Sequence, residues 1–218
     1  MAKPSNRTKI LTEGLRIVHE RGFGGASVRD IAQAAQVPLG SFTNHFASKE
    51  AFGLEILELY YRNSRVHIAE TLSNTALQPL DRIRAYVDHI IAVQNGTDMR
   101  RGCLFGNFGA EVVEQFETMR LRLVEMFEDI RHAFADCLKA AVAAGELPED
   151  YCCEDAACFL FAALQGAIVV AKTQRSDVPL TRYRRMIFET VLHQTARRRP
   201  RPNAGPRTTC APSPGGGF

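Results

Sequence analysis

The sequence predicts an all-α chain. Apolar residues recur at helical spacing along most of its length, hairpin signals are missing, and glycines and prolines fall where helix ends are due. Two short helices joined by a tight turn, with a supporting helix in front, form a helix-turn-helix head expected over residues 1–50. A larger all-helical domain follows over 51–197, and 198–218 read as a disordered, basic, Pro- and Gly-rich tail.

The first helix carries Ile10, Leu11, Leu15 and Val18 on one face and stops at Gly22, a residue suited to closing a helix C-terminus. Ser27 precedes Val28-Arg29-Asp30-Ile31-Ala32, so its hydroxyl can cap the second helix while Asp30 answers as the acid of a capping box. That helix is short, because Pro38 disfavours the α conformation at Val37. A third helix is expected from about Leu39 to Phe46. In this arrangement Val28, Ile31, Ala32, Ala35, Val37, Phe42 and Phe46 face a small core, while Ser41, Thr43, Asn44 and His45 point outward.

A long fourth helix is expected from about residue 50 to Leu72, joining head to body. Pro79 opens a fifth, which breaks at Asn95-Gly96-Thr97-Asp98, and "RGCLFGNF" (101–108) starts a sixth. From Glu111 to about Ala144 the apolar residues keep helical spacing, predicting one continuous helix closed by Gly145. After Pro148 the stretch "CCEDAACFLFAALQGAIVVAK" (152–172) is rich in small residues that let helices approach closely, and a last helix is expected from Leu180 to about Ala196.

Composition narrows the function. A chain of 218 residues with 45% hydrophobic content can bury a sizeable core. No apolar run approaches the roughly 20 residues needed to span a bilayer, and the opening MAKPSNR lacks a signal's apolar stretch, so a cytoplasmic location with no membrane partner is expected. None of the six cysteines stands in a CxxC and no HExxH occurs among the six histidines, so neither a metal site nor a cofactor is expected. The net charge of +3 is uninformative, but residues 1–49 carry seven Lys or Arg against three acids. Arg197, Arg198, Arg199, Arg201 and Arg207 in the tail meet no acid, which suits either a solvated tail or an auxiliary nucleic-acid contact.

A helix-turn-helix places its second helix in the DNA major groove, where the outward side chains have the right chemistry. Ser and Thr can meet phosphate or a base edge, Asn can pair with adenine in a bidentate way, and His can donate to phosphate. Gly40 leaves room for the sugar-phosphate backbone at a helix N-terminus that favours an anion. The same three helices also make a purely structural corner, in which an outward Asn or His is merely solvated.

The run from Gly22 to Phe52, with "SVRDIA", "HF" and "SKEAF" in order, resembles the DNA-binding domain of TetR-family transcriptional regulators over about residues 8–55. The resemblance implies a homodimeric repressor whose second domain binds a small-molecule inducer, and which that inducer releases from a palindromic double-stranded DNA operator. It assigns Ser27 and Arg29 to phosphate or groove contacts, Ser41, Thr43, Asn44 and His45 to the recognition helix, and Lys49 to a phosphate clamp. Three positions depart from the family pattern. Gln36 stands where Gly is usual, Thr43 where Tyr is usual and Leu39 where Lys is frequent. The "ALQGA" of the eighth helix is similar to the family's dimer-forming bundle, so the last two helices are expected to pair with a second copy.

Cys103 follows Arg100, Arg101 and Gly102 near a helix start, and both cations and a helix N-terminus lower a thiol pKa. With "GSF" and "SKEAFG", its "GCL" element is similar to the electrophile-sensing branch of the family that includes the repressor of N-ethylmaleimide reductase. A buried packing cysteine is the plain alternative. Phe105, Phe108, Phe116, Met119, Phe127, Phe161 and Gln165 are candidate inducer-pocket residues, although such a stripe also describes ordinary core. A cysteine-dependent enzyme would need a base and an orienting partner near Cys103, and none stands at a recognisable spacing. A binding protein of the same fold with weakened DNA recognition is a third reading.

Overall fold

A computed structural model describes residues 5–193, and they contain helices and no strand. The expected end of the last helix at Ala196 and the Arg-rich tail lie outside the described residues. The head consists of α1 (Asn6–Arg21), α2 (Val28–Ala34) and α3 (Leu39–His45). Gly22 closes α1 at φ 80°, donating its N–H to the Val18 carbonyl. The capping box at α2 is complete: Ser27 Oγ accepts from Asp30 N, and the Asp30 carboxylate accepts from Ser27 N.

The α2–α3 turn is a Schellman closure built on Gln36. Gln36 N donates to Gln33 O at 3.1 Å and Val37 N to Ala32 O at 3.1 Å, which requires the left-handed φ of 53° at Gln36. The chain thus reaches the turn without the glycine usual there. Ile10, Ile31, Phe42, Phe46 and Phe52 are buried at the centre of the head, with Phe42, Phe46 and Phe52 in mutual tilted or edge contacts at 5.1–5.2 Å. Val28 and Val37, expected in this core, are partly exposed at its edge.

The body follows as α4 (Lys49–Glu70), α5 (Pro79–Asn95), α6 (Leu104–Glu111), α7 (Glu117–Ala143), α8 (Cys153–Gln174) and α9 (Val178–Met186), with a single π-helical turn, Ile187–Val191, continuing α9. Helix α4 packs on α1 and on α7, so one rod touches head and body. The continuous helix expected from Glu111 is interrupted. Val112–Phe116 form a turn in which Gln115 N and Phe116 N both donate to the Val112 carbonyl, and α7 starts only at Glu117. Val112 is buried in the core and Phe116 packs partly buried against it.

Helix α8 satisfies by length and composition the requirement for crossing a bilayer, which corrects the expectation that no apolar run comes near it. One face, Leu160, Leu164, Ile168 and Ala171, is buried against α7 and α9. Its other face leaves Phe159 52%, Val169 57% and Val170 43% exposed, and Gly166 beside them opens onto free space.

Candidate nucleic-acid interface and sensor site

The expected DNA-facing residues divide by what already occupies them. Ser27 Oγ is engaged within the capping box, lying 2.5 Å from Asp30 Oδ2, and these bonds hold the Asp30 carboxyl below its ordinary pKa. Ser41 accepts from Asn6 Nδ2 at 3.3 Å, and Thr43 Oγ1 donates to the Gly40 carbonyl at 3.1 Å. Arg29, Asn44 and His45 are exposed and have no hydrogen bond or ion pair among the described residues. A Cβ at Gly40 would meet nothing within 4 Å, so no contact inside the chain calls for a glycine there. Leu39 is 49% exposed on the same surface, an apolar patch where a cation is usual.

Lys49 does not project freely as the clamp expectation supposes. Its Nζ sits 4.8 Å over the Phe23 ring, where partial burial pulls its pKa down against the opposing pull of Glu111. It belongs to a joint between head and body that the sequence does not reveal. Glu111 accepts from Gly24 N at 3.1 Å and so grips the loop after α1. Phe23 packs on Phe108 and Phe116 of the body at 5.3 and 5.9 Å. Arg101 bonds Glu20 at 3.1 Å, and the Gly102 carbonyl lies 2.9 Å from His19 Nε2 and accepts from Gln94 Nε2 at 3.1 Å. One carbonyl therefore ties the end of α1 to α5. Burial first of all brings the His19 pKa down to about 4, so the ring is neutral at pH 7.

Cys103 follows that carbonyl directly and is the N-cap of α6, at φ −94° and ψ 124°, one position before the helix. Its thiol pKa is raised, opposite to the sequence expectation. Burial dominates, and the backbone of Gly106 and Phe105 with the Gln165 and Tyr60 side chains opposes it only in part. Of the cations counted nearby, Arg101 is turned to Glu20 and Arg100 is exposed. The raised pKa favours the neutral thiol at this partly buried position.

The aromatic set lies in and around the core. Phe105, Phe108 and Met119 are buried in the core; Phe116, Phe127 and Phe161 are half-buried around it, with Phe127 packed 6.4 Å from Phe105 and 5.3 Å from Phe161. Gln165 keeps a buried Oε1 without a hydrogen-bond partner, facing Gly106. A cavity of about 410 Å³ lies elsewhere, between α1, α4, α5 and the segment 97–102, and none of the seven expected pocket residues touches it. His19, Tyr60 and Gly102 do, so the cavity opens on the head–body joint.

Comparison with known proteins agrees with this architecture. The head, residues 10–56, matches the profile of bacterial regulatory proteins of the tetR family. Residues 79–187 match that of the tetracyclin repressor-like C-terminal domain. The chain is 35% identical over 195 residues to the HTH-type transcriptional repressor DhaR of Mycobacterium sp. (strain GP1), covering 89% of this chain and 96% of that protein. It is 34% identical to the HTH-type transcriptional repressor NemR of Escherichia coli (strain K12), covering 80% and 87%. The crystal structure of regulatory protein TetR from Rhodobacter sphaeroides superposes with a TM-score of 0.81 at 29% identity, over 84% of this chain and 97% of that one. These matches are to regulators and the enzyme reading falls with them: this chain belongs to the TetR family of bacterial transcriptional regulators.

Proposed function

We propose that the chain is a cytoplasmic homodimeric repressor that holds a palindromic operator through α3 and Arg29 and is released by a small inducer or by modification of Cys103. The observation that carries this reading is the division of α3. Phe42 and Phe46 anchor the helix in the head, while Asn44 and His45, with Arg29 from α2, stand exposed and uncommitted. A face of unspent hydrogen-bonding groups on a rigid short helix is what base-edge reading requires. The names of DhaR and NemR as transcriptional repressors support the direction of control. The exposed Phe159, Val169 and Val170 on α8 support pairing of α8 and α9 with a second copy, and a two-fold protein matches a two-fold site.

In this reading Ser27, Ser41 and Thr43 contribute through atoms left over after their internal bonds, and Gly40 admits the phosphate backbone. Lys49 reaches phosphate only by leaving Phe23. Cys103, flanked by Gln165 and the packed aromatics, acts as a slow thiol whose modification disturbs Gly102 and hence α1. Leu39 and Thr43 also keep open a binding protein of this fold with a weakened grip on DNA, since Leu39 has no polar group and the Thr43 hydroxyl proton is already spent on the Gly40 carbonyl.

Operator selection from a random duplex pool with the purified full chain tests the reading. Arg29→Ala is expected to weaken binding on all sequences and to reduce the salt slope by about one, whereas Asn44→Ala loses about 1–3 kcal/mol at a single base position. N-ethylmaleimide is expected to release the wild type and to leave Cys103→Ser bound. A chain that selects no duplex at moderate salt removes the regulator, and equal release of both proteins removes Cys103 as the sensor.

A further inference from the structure

The start of α3 is apolar where it faces outward. Pro38, Leu39 and Gly40 are all exposed, Leu39 by 49%, and a Cβ at Gly40 would touch nothing. Thr43 is exposed four residues on, and residues at that spacing lie one above the other on the same helix face. Its hydroxyl donates to the Gly40 carbonyl at 3.1 Å, so what Thr43 still has to offer a neighbour is its methyl group and the oxygen lone pairs. Leucine and threonine thus bring aliphatic groups to the same face on successive turns.

The helix that carries them is firmly seated. Phe42 is buried against Phe46 and Phe52 at 5.2 and 5.1 Å, and Asn6 Nδ2 donates to Ser41 Oγ at 3.3 Å, tying α3 to α1. A single exposed leucine is ordinary on a protein surface. This one stands at the N-terminal end of a recognition helix, the end that approaches base edges. A duplex offers such a helix phosphate oxygens, base-edge donors and acceptors, and the C5-methyl group of thymine. Against the first two a leucine strips water from a polar group and returns no hydrogen bond. The methyl group is what an aliphatic side chain complements.

From the exposed Leu39, the spent Thr43 hydroxyl and the firm seating of α3, we infer that Leu39 and Thr43 are specificity-determining residues that read the C5-methyl groups of neighbouring thymines in each operator half-site. The Leu39 side chain covers one methyl group and the Thr43 methyl covers the next. This rests on the operator reading proposed above and names the bases that it selects. A leucine in place of the lysine frequent in the family, and a threonine in place of the usual tyrosine, then exchange contacts that are blind to sequence for contacts that depend on it.

The operator that the full chain selects from a random duplex pool is remade with deoxyuridine in place of one thymine at a time, which keeps the base pair and removes only the methyl group. At one or two neighbouring thymines per half-site, uracil is expected to weaken wild-type binding about fourfold, the value of one buried methyl group, and about fifteenfold with both half-sites changed, while the salt slope stays the same. Leu39→Ala is expected to be indifferent to uracil at one of these positions. Thr43→Ser, which keeps the hydroxyl and drops the methyl group, is expected to be indifferent at the other. Both side chains are exposed, so these substitutions leave the head folded. Leu39→Lys is expected to raise the salt slope by about one and to lose the preference for thymine over uracil at the Leu39 position. Uracil tolerated at every thymine, or a uracil penalty of equal size in wild type and in both methyl-deleting variants, overturns the methyl reading and leaves the regulator standing. A chain that selects no duplex overturns both.

Discussion

Replacing Gln36 by glycine should stabilise the protein, and the size of the gain follows from one backbone angle. Gln36 is held at φ 53° by the two hydrogen bonds that close α2, and its side chain is exposed, so the substitution removes no packing. An L side chain in the left-handed region is disfavoured by about 1–2 kcal/mol, and glycine escapes that strain. Glycine also gives the unfolded chain more freedom, which offsets about 0.4–1 kcal/mol of the gain. A net stabilisation of about 0.5–1 kcal/mol remains, corresponding for a chain of this size to a rise in Tm of roughly 1–3 °C. Thermal unfolding followed by circular dichroism, at fixed protein concentration so that association does not enter, measures it. Gln36→Ala, which keeps a Cβ, is the control and should stay within about 0.5 kcal/mol of wild type. If glycine is no better than alanine at this position, the turn is not strained and the argument from φ fails.

Two further outcomes follow from the joint. The folded pKa of His19, about 4, lies below its unfolded value, so its contribution to stability is complete above about pH 6.5 and is lost as pH falls toward 4. From pH 7.5 to pH 5 the loss attributable to this one ring is about 2 kcal/mol, and in urea unfolding His19→Gln should lose that much less than wild type over the same interval. At neutral pH the raised thiol pKa of Cys103 predicts that N-ethylmaleimide alkylates the exposed Cys152 before Cys103, as peptide mass spectrometry with time would record; the reverse order would mean that the resting thiol is ionised.

What the sequence announces here is whatever short-range chemistry determines. Ser27 with Asp30, Gly22 after Arg21 and Pro79 at a helix start are each decided within a few residues, and the helix ends fall where they indicate. The Val112–Phe116 turn gives no such notice. Val112, Val113 and Phe116 continue the apolar period, and the stretch contains neither glycine nor proline, so nothing local marks the break. Helix α3 is legible because its inward Phe42 and Phe46 and its outward polar groups lie within one short stretch. The cavity was not, because Leu15, Tyr60, His89 and Gly102 meet from segments far apart in the chain. For Cys103 the adjacent arginines are visible in the sequence, while the burial that outweighs them and favours the packing alternative comes from elsewhere in the fold.

The contacts of residues 19–24 bear on how such a regulator can be re-engineered. Exchanging DNA specificities between members by cutting at the start of α4 would separate His19, Glu20, Phe23 and Gly24 from Gly102, Arg101, Phe108 and Glu111. A chimera joined there would keep a sound reading head and a sound body with mismatched faces between them, and would be expected to bind its new operator without answering to its effector. With α3 and Arg29 reading the operator as proposed, the transplantable unit is their outward face, grafted residue by residue onto a head that retains its own α1.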